Sequence, residues 1–181
     1  MELIFFKGLI VFTAIQRFLE LFLSKSNERY ILKIGGKIIK EKKYLLMVFL
    51  HISWLASLIY LTFIEKSFFE FQYFYLFLIV FILGQILRVS AIYSLGRRWS
   101  TRIMILPQAP VVSNKLFKLF KHPNYIGVVL EIAALPLMAG FLGHAIFFSV
   151  FNFIVLFFRI RLEEKMLNQY NDYSIIFNKG F

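Results

Sequence analysis

Long apolar runs separated by short polar stretches set the pattern of this chain. A membrane-crossing helix needs roughly 20 mostly apolar residues. Residues 3–23 form the first candidate, interrupted on one side by Lys7, Gln16, Arg17 and Glu20. Residues 44–64 form the second, with one histidine, His51. Residues 68–95 form the third and contain Glu70, Gln85 and Arg88. A polar stretch over 96–124 follows, and then an apolar run over 125–158. As one helix that last run would be about 51 Å long, at about 1.5 Å per residue. The hydrocarbon core of a bilayer is only about 30 Å thick. Gly140 and Gly143 offer a break. The run therefore predicts a tight helical hairpin with arms over 124–139 and 144–158. The expected fold is all-α: a polytopic transmembrane helical bundle of about five spans. Residues 1–95 would hold the first three helices, and residues 96–181 a second region made of a polar loop, the hairpin and a C-terminal tail.

Composition agrees with that picture. Hydrophobic residues make up 60% of the 181 and charged residues 17%. Soluble domains carry about 45–50% and about 25%. A soluble single domain is excluded, and so is disorder, which requires low hydrophobicity. The formal charge is +11. Its distribution matters more than its size. The stretch 24–43 holds Lys25, Arg29, Lys33, Lys37, Lys40, Lys42 and Lys43, and the stretch 88–121 holds Arg88, Arg97, Arg98, Arg102, Lys115, Lys118 and Lys121. The tail adds Arg159, Arg161, Lys165 and Lys179, whereas the loops between these regions hold only Lys66. Five spans put all three basic regions on one face. The positive-inside rule makes that face cytoplasmic, with the N-terminus outside and the C-terminus inside. The basic balance is thus explained by topology and gives no ground for a nucleic-acid partner. There is no cysteine, which excludes a disulfide framework and a thiol nucleophile. The first apolar run is long and broken by charges, unlike a secretory signal.

Candidate chemistry lies in the second region. Pro123 biases His122 away from helical backbone, and Asn124 is a suitable N-cap for the fourth span. Tyr125 falls in the first turn, and Gly127 permits close backbone approach. One reading is a capped helix with interfacial His and Tyr. The other is an anion site at a helix N-terminus. Where the fifth span ends, Arg159 and Glu163 are four apart and Arg161 and Glu164 three apart. Such spacings favour pairing on one helix face. The alternative is an arginine for a substrate anion and a glutamate for a polar or cationic ligand. Glu131, deep in the fourth span, needs an interior partner such as Arg88, or serves a site. Arg17 and Glu20 are spaced to pair with each other, and His51 to bond between helices. His51, His122 and His144 show no metal-ligand spacing, so no metal is expected.

The order Lys121-His122-Pro123-Asn124-Tyr125-Ile126-Gly127, a helical hairpin, and then Arg159-Ile160-Arg161-Leu162-Glu163-Glu164 resembles the isoprenylcysteine carboxyl methyltransferase family and the related phospholipid methyltransferases. Arg17-x-x-Glu20-Leu21, Ser24, Asn27-Glu28 and Met47-Val48-x-Leu50-His51 resemble a bacterial branch implicated in O-methylation of long-chain polyketides such as alkylpyrones and alkylresorcinols. The resemblance implies S-adenosylmethionine as cofactor, bound at the cytoplasmic face. It implies cofactor contacts from Ala109, Pro110, Val111 and Val112 through backbone, and from Phe117, His122, Pro123, Asn124, Tyr125 and Glu163. Arg159 matches the residue that meets the substrate's acidic group, and Arg102, a further candidate catalytic residue, corresponds more loosely to a cofactor-side position. The implied partners are membrane lipid and a lipophilic small molecule or prenylated substrate. Three positions depart from the family pattern. Lys121 stands where Arg usually precedes His-Pro, Ser113-Asn114-Lys115 lacks the usual Gly turn, and Phe117 replaces a frequent Tyr.

Methyl transfer to oxygen requires in-line alignment more than acid–base help. That suits a site with no triad and no thiol. Two other classes share parts of the pattern. Membrane sterol and steroid reductases, which use NADPH, also carry His-Pro-Asn-Tyr-x-Gly, and a non-enzymatic membrane protein would need only the spans. Cofactor binding separates the three.

Overall fold

The computed structural model of the chain describes residues 2–66 and 72–177. Helix α1 spans Glu2–Lys33, and α2 spans Tyr44–Ile59 and runs into a wider π-type turn at Tyr60–Ile64. Next come α3 (Phe74–Leu95), α4 (Lys115–Leu119), α5 (Pro123–Met138), α6 (Leu142–Tyr170) and α7 (Tyr173–Phe177). The expectation of an all-α fold needs one correction. Strands β1 (Lys37–Ile38) and β2 (Met104–Ile105) pair antiparallel, with Lys37 opposite Ile105. The Ile39 N–H extends this ladder by donating to Ile103 O at 2.9 Å. The ladder ties the loop after α1 to the polar stretch after α3.

Tyr44–Ile64, Phe74–Arg98 and Leu142–Tyr170 are long and apolar enough to cross a membrane, while Pro123–Met138 is shorter. The boundaries differ from expectation in instructive ways. Helix α1 does not stop near residue 23. Its buried face, Phe6, Ile10, Thr13, Glu20, Ser24, Asn27 and Ile31, keeps the helical period to the end. Polar residues simply replace apolar ones in the lower half. Residues 67–71, with Glu70 and the start of the expected third span, lie outside the described residues, as does Lys179. Between α5 and α6 the chain turns at Gly140, whose φ of 73° favours glycine. Gly143 falls inside the first turn of α6.

Helix α5 is the interior element. Val128, Glu131, Ile132, Ala134, Leu135 and Met138 are buried on it. All but Glu131 join Phe6, Ile10, Trp54, Leu58, Phe81 and Phe148 from the surrounding helices in the hydrophobic core. The exposed side chains of the outer helices are largely apolar, including Phe18, Phe22, Phe49, Ile79, Ile86, Phe147 and Phe153. Contiguous exposure of this kind suits a lipid solvent. Between α3 and α5 two glycines bring the backbones together. A Cβ on Gly127 would meet Arg88 Cγ at 2.5 Å and Gly84 O at 2.6 Å. Small residues allow such contact where lipid provides no hydrophobic drive between helices.

A charged quartet locks α1, α3 and α5. Arg17 Nη2 lies 2.7 Å and Arg88 Nε 3.4 Å from Glu131 Oε2. Arg88 Nη2 also binds Glu20, and Arg17 Nη1 lies 3.2 Å from the same carboxylate. Gln16 Nε2 donates to Glu20 Oε1 at 3.1 Å. Two cations and two anions balance, which is the condition for burying them. The expected Arg17–Glu20 pair is present but forms one edge of this larger set. His51 departs from expectation: it bonds to Met47 O within its own helix, at 2.8 Å, and not across helices.

Candidate functional site

A cavity of about 340 Å³ opens where the lower ends of α1, α5 and α6 meet the polar loops. Arg102, Ala109, Pro110, Val111, Val112, Phe117, His122, Pro123, Asn124, Tyr125, Arg159 and Glu163 all line it. These residues come from three separated stretches, and the fold brings every one of them to the same space. Arg17, Glu20, His51 and Arg88 line it too, so three members of the charged quartet form part of its wall.

The start of α5 differs from expectation in its cap. Pro123 is the first helical residue and His122 occupies the cap position, with φ −132° and ψ 64° and no side-chain cap bond. Proline suits this place because its missing N–H has no intrahelical partner there. Asn124 is therefore inside the helix and is not its N-cap. Its buried Oδ1 has no hydrogen-bond partner. A buried polar atom without a partner is the kind of group a bound ligand satisfies.

The end of α6 also rearranges the expected pairs. Arg159 and Glu163 do not bond directly; the Tyr125 hydroxyl stands between them. Arg159 Nε donates to it at 2.9 Å, and it donates to Glu163 Oε2 at 2.5 Å. Glu164 turns away from Arg161 and accepts from His122 Nε2 at 3.0 Å and from Tyr173 OH at 3.3 Å. Arg161 instead lies over the Phe157 ring, 4.3 Å from its centroid. The His122 and Tyr125 rings stack, 5.4 Å apart and 18° from parallel. Both acidic side chains of α6 thus serve the start of α5, because the turn at Gly140 returns the chain alongside it. Burial, and then the Glu164 and Glu163 carboxylates, hold the Tyr173 phenol above its ordinary ionisation range.

Glu41 is the residue the sequence reading missed. Arg159 Nη1 donates to Glu41 Oε2 at 2.8 Å, with both side chains under 8% exposed. The other Glu41 oxygen accepts from Ile103 N–H at 2.9 Å. Arg159 Nη2 donates to Thr101 O at 2.7 Å, and Nη1 also lies 3.2 Å from Met47 Sδ. A signal for Glu41 existed: it is the one acid among the lysines of residues 34–43. Arg102 is exposed and lies over the Tyr44 ring at 4.9 Å, on the rim of the cavity.

The expected strand-like segment 109–112 forms no strand: Ala109 lies in a bend, and residues 110–112 are irregular. The end of α6 straps it instead. Asn171 Nδ2 donates to Leu106 O and Ala109 O, both at 2.8 Å, and Val111 N–H donates to Asp172 Oδ1 at 3.3 Å. Arg98 Nη1 donates to Pro110 O at 2.6 Å. Asn114 caps α4 by accepting from Phe117 N–H at 3.2 Å, so an Asn cap does the work of the absent Gly turn. Upstream, Ser24 Oγ accepts from Thr101 N–H at 3.0 Å, and Asn27 Nδ2 donates to Trp99 O at 2.8 Å. The polar lower half of α1 thereby fixes the segment from which Arg102 projects. Among the described residues no group of three His, Asp or Glu side chains is arranged to hold a metal ion.

A helical bundle with apolar outer faces, and a largely apolar cavity edged by charged side chains at one end of α5 and α6, is the architecture of a membrane protein. The sequence profile of the isoprenylcysteine carboxyl methyltransferase (ICMT) family matches residues 76–169, just over half of the chain. The chain is also 34% identical over 164 residues to "Uncharacterized protein YpbQ" of Bacillus subtilis (strain 168), covering 90% of this chain and 96% of that protein. No solved structure matches the chain. The chain belongs to the isoprenylcysteine carboxyl methyltransferase family, and membership implies a membrane methyltransferase.

Proposed function

We propose that the protein transfers a methyl group from S-adenosylmethionine to an oxygen of a lipophilic acceptor. The observation that carries this reading is convergence: twelve residues chosen from three sequence stretches line one cavity. The cavity volume falls within the range of small-molecule sites, about 300–1,000 Å³. When bound, the donor would supply an electrophilic methyl on a sulfonium. The unpartnered Asn124 Oδ1 and the Glu163 carboxylate fit a cationic ligand rich in N–H and O–H donors. His122, Pro123, Tyr125, Phe117 and the strapped segment Ala109–Val112 would enclose it. Residues 96–181 thus form the donor side, and residues 1–95 wall the acceptor side. Arg159 and the more peripheral Arg102 would face the acceptor.

Leu21 and Ile52 support a lipid-borne acceptor. Both line the cavity, yet they are 51% and 62% exposed on the outer faces of α1 and α2. An opening there would let an acyl or prenyl tail lie in the bilayer while its head meets the donor. Five spans, with the basic loops cytoplasmic, would put the cavity at the cytoplasmic face within reach of a soluble donor.

Calorimetry on the purified protein in detergent tests the reading. It should bind S-adenosylmethionine and not NADPH; binding of NADPH alone would overturn it in favour of a reductase. Glu163→Ala should weaken donor binding about 10- to 100-fold, the worth of a charge-assisted hydrogen bond. Arg159→Ala should leave donor affinity nearly intact and lower methylation of the acceptor.

A further inference from the structure

Glu41 stands in a run of lysines yet turns away from them. Lys40, Lys42 and Lys43 are exposed, whereas the Glu41 side chain is 7% exposed and binds Arg159 Nη1 at 2.8 Å. Its other oxygen is held by Ile103 N–H. Arg159 lines the cavity and Glu41 does not, so the carboxylate backs the guanidinium from the protein side. It touches nothing in the cavity, yet it answers the charge of a residue that does.

The charges on the cavity wall show why this matters. Arg17 and Arg88 are balanced within the quartet by Glu20 and Glu131. Beyond them, Arg98, Arg102, Lys121 and Arg159 line the wall together with Glu163. Arg102 and Lys121 are exposed, where water and salt screen them. Arg159 is buried, and a buried charge acts more strongly on its surroundings. It stands one hydroxyl from Glu163: Nε donates to Tyr125 OH, which donates to Glu163 Oε2. The neighbours of Glu163 also include His122, with Nδ1 at 3.9 Å, and the Tyr173 phenol. An unanswered Arg159 would cancel Glu163 across the Tyr125 hydroxyl. With Glu41 in place, the buried pair is neutral and Glu163 keeps its negative charge.

We propose that Glu41 is a positioning residue for the methyl donor: by neutralising Arg159 from behind, it leaves the Glu163 carboxylate free to attract the cationic sulfonium. This rests on the methyltransferase reading above. When the methyl leaves, the electron pair of its bond stays on sulfur, and the sulfonium becomes a neutral thioether. Glu41 therefore favours the donor over the donor's own product. The pair is not symmetric in this role. A buried carboxylate that loses its cation takes up a proton and becomes neutral, so Arg159→Ala disturbs donor binding little. A guanidinium that loses its carboxylate stays charged.

The test is calorimetry on the purified full chain in detergent, with S-adenosylmethionine and, separately, S-adenosylhomocysteine. The ratio of the two dissociation constants reads charge, because a change in the shape of the site weakens both ligands alike. Glu41→Gln should weaken S-adenosylmethionine about tenfold, the order of one uncompensated unit charge acting through protein, and S-adenosylhomocysteine by less than about threefold. Adding Arg159→Gln removes the stranded cation and should return the ratio to within about threefold of wild type, as expected for two coupled sites. Equal weakening of both ligands, no weakening of either, or a ratio that the second substitution fails to restore would overturn the proposal. Should Glu41→Gln unfold, Glu41→Asp decides. The Ile39–Ile103 hydrogen bond holds the backbone nearby, so the shorter acid withdraws from Arg159 and the preference for S-adenosylmethionine should fall about threefold. An unchanged preference overturns the proposal there too. Binding of both ligands with a ratio indifferent to Glu41 sinks this inference alone. Absence of binding to the wild type sinks the methyltransferase reading with it.

Discussion

Two polar clusters lie a few helical turns apart, and they handle charge in opposite ways. In the quartet of Arg17, Glu20, Arg88 and Glu131, the last three side chains are at most 9% exposed and every cation meets a carboxylate. At the start of α5, His122, Glu163 and Glu164 are 14%, 28% and 34% exposed, and Asn124 keeps a buried oxygen without a partner. The first cluster is closed in charge, though Glu131 Oε1 has no hydrogen-bond partner, and the second is more exposed and keeps Asn124 Oδ1 unpartnered. A closed set holds helices together; an open one is fitted to hold something else. Arg159 stands between them, buried like the first cluster but lining the cavity beside the second.

Breaking the closed set should have the largest effect. Glu131→Ala leaves Arg17 and Arg88 buried with one carboxylate between them, and should destabilise the fold by about 3–5 kcal/mol. Thermal unfolding in detergent would show this, and an effect below about 1 kcal/mol would mean the quartet is better solvated than its burial implies. The glycine contact behind it ranks next. Gly127→Ala places a methyl against Arg88 and the Gly84 carbonyl and should cost about 1–3 kcal/mol. Gly143→Ala, with nothing within 4 Å, should be close to neutral in the same assay. The smallest effect belongs to the open set. Since the Tyr173 phenol ionises less readily in the fold than in the unfolded chain, its contribution is complete below pH ~10 and is lost as pH rises above that value. Tyr173→Phe should therefore reduce the loss of stability above pH 10, and a pH series of unfolding midpoints would detect the difference.

Much of this comparison was legible in the sequence. The apolar runs gave the long helices, and intramembrane Glu131 pointed to Arg88. Resemblance marked the residues that line the cavity. What escaped were relations set by tertiary approach. Spacing on one helix suggested Arg159–Glu163 and Arg161–Glu164 pairs, but the turn at Gly140 brings Tyr125 and His122 close enough to take those carboxylates. Glu41 sat in a lysine-rich loop that read as purely topological. Only the β1–β2 pairing, which no short-range pattern announces, carries it to Arg159. Helix α1 outlasted its apolar run because its period persisted after its hydrophobicity had faded.

Helix α6 runs unbroken for 29 residues, about 44 Å at about 1.5 Å per residue, against a hydrocarbon layer about 30 Å thick. Its upper part carries the lipid-facing Phe147, Phe151 and Phe153, and its lower part carries Arg159 and Glu163. One stiff rod thus connects the bilayer to the cavity. A change in membrane thickness that tilted the rod would swing Arg159 and Glu163 against Tyr125, coupling bilayer thickness to the geometry of the cavity.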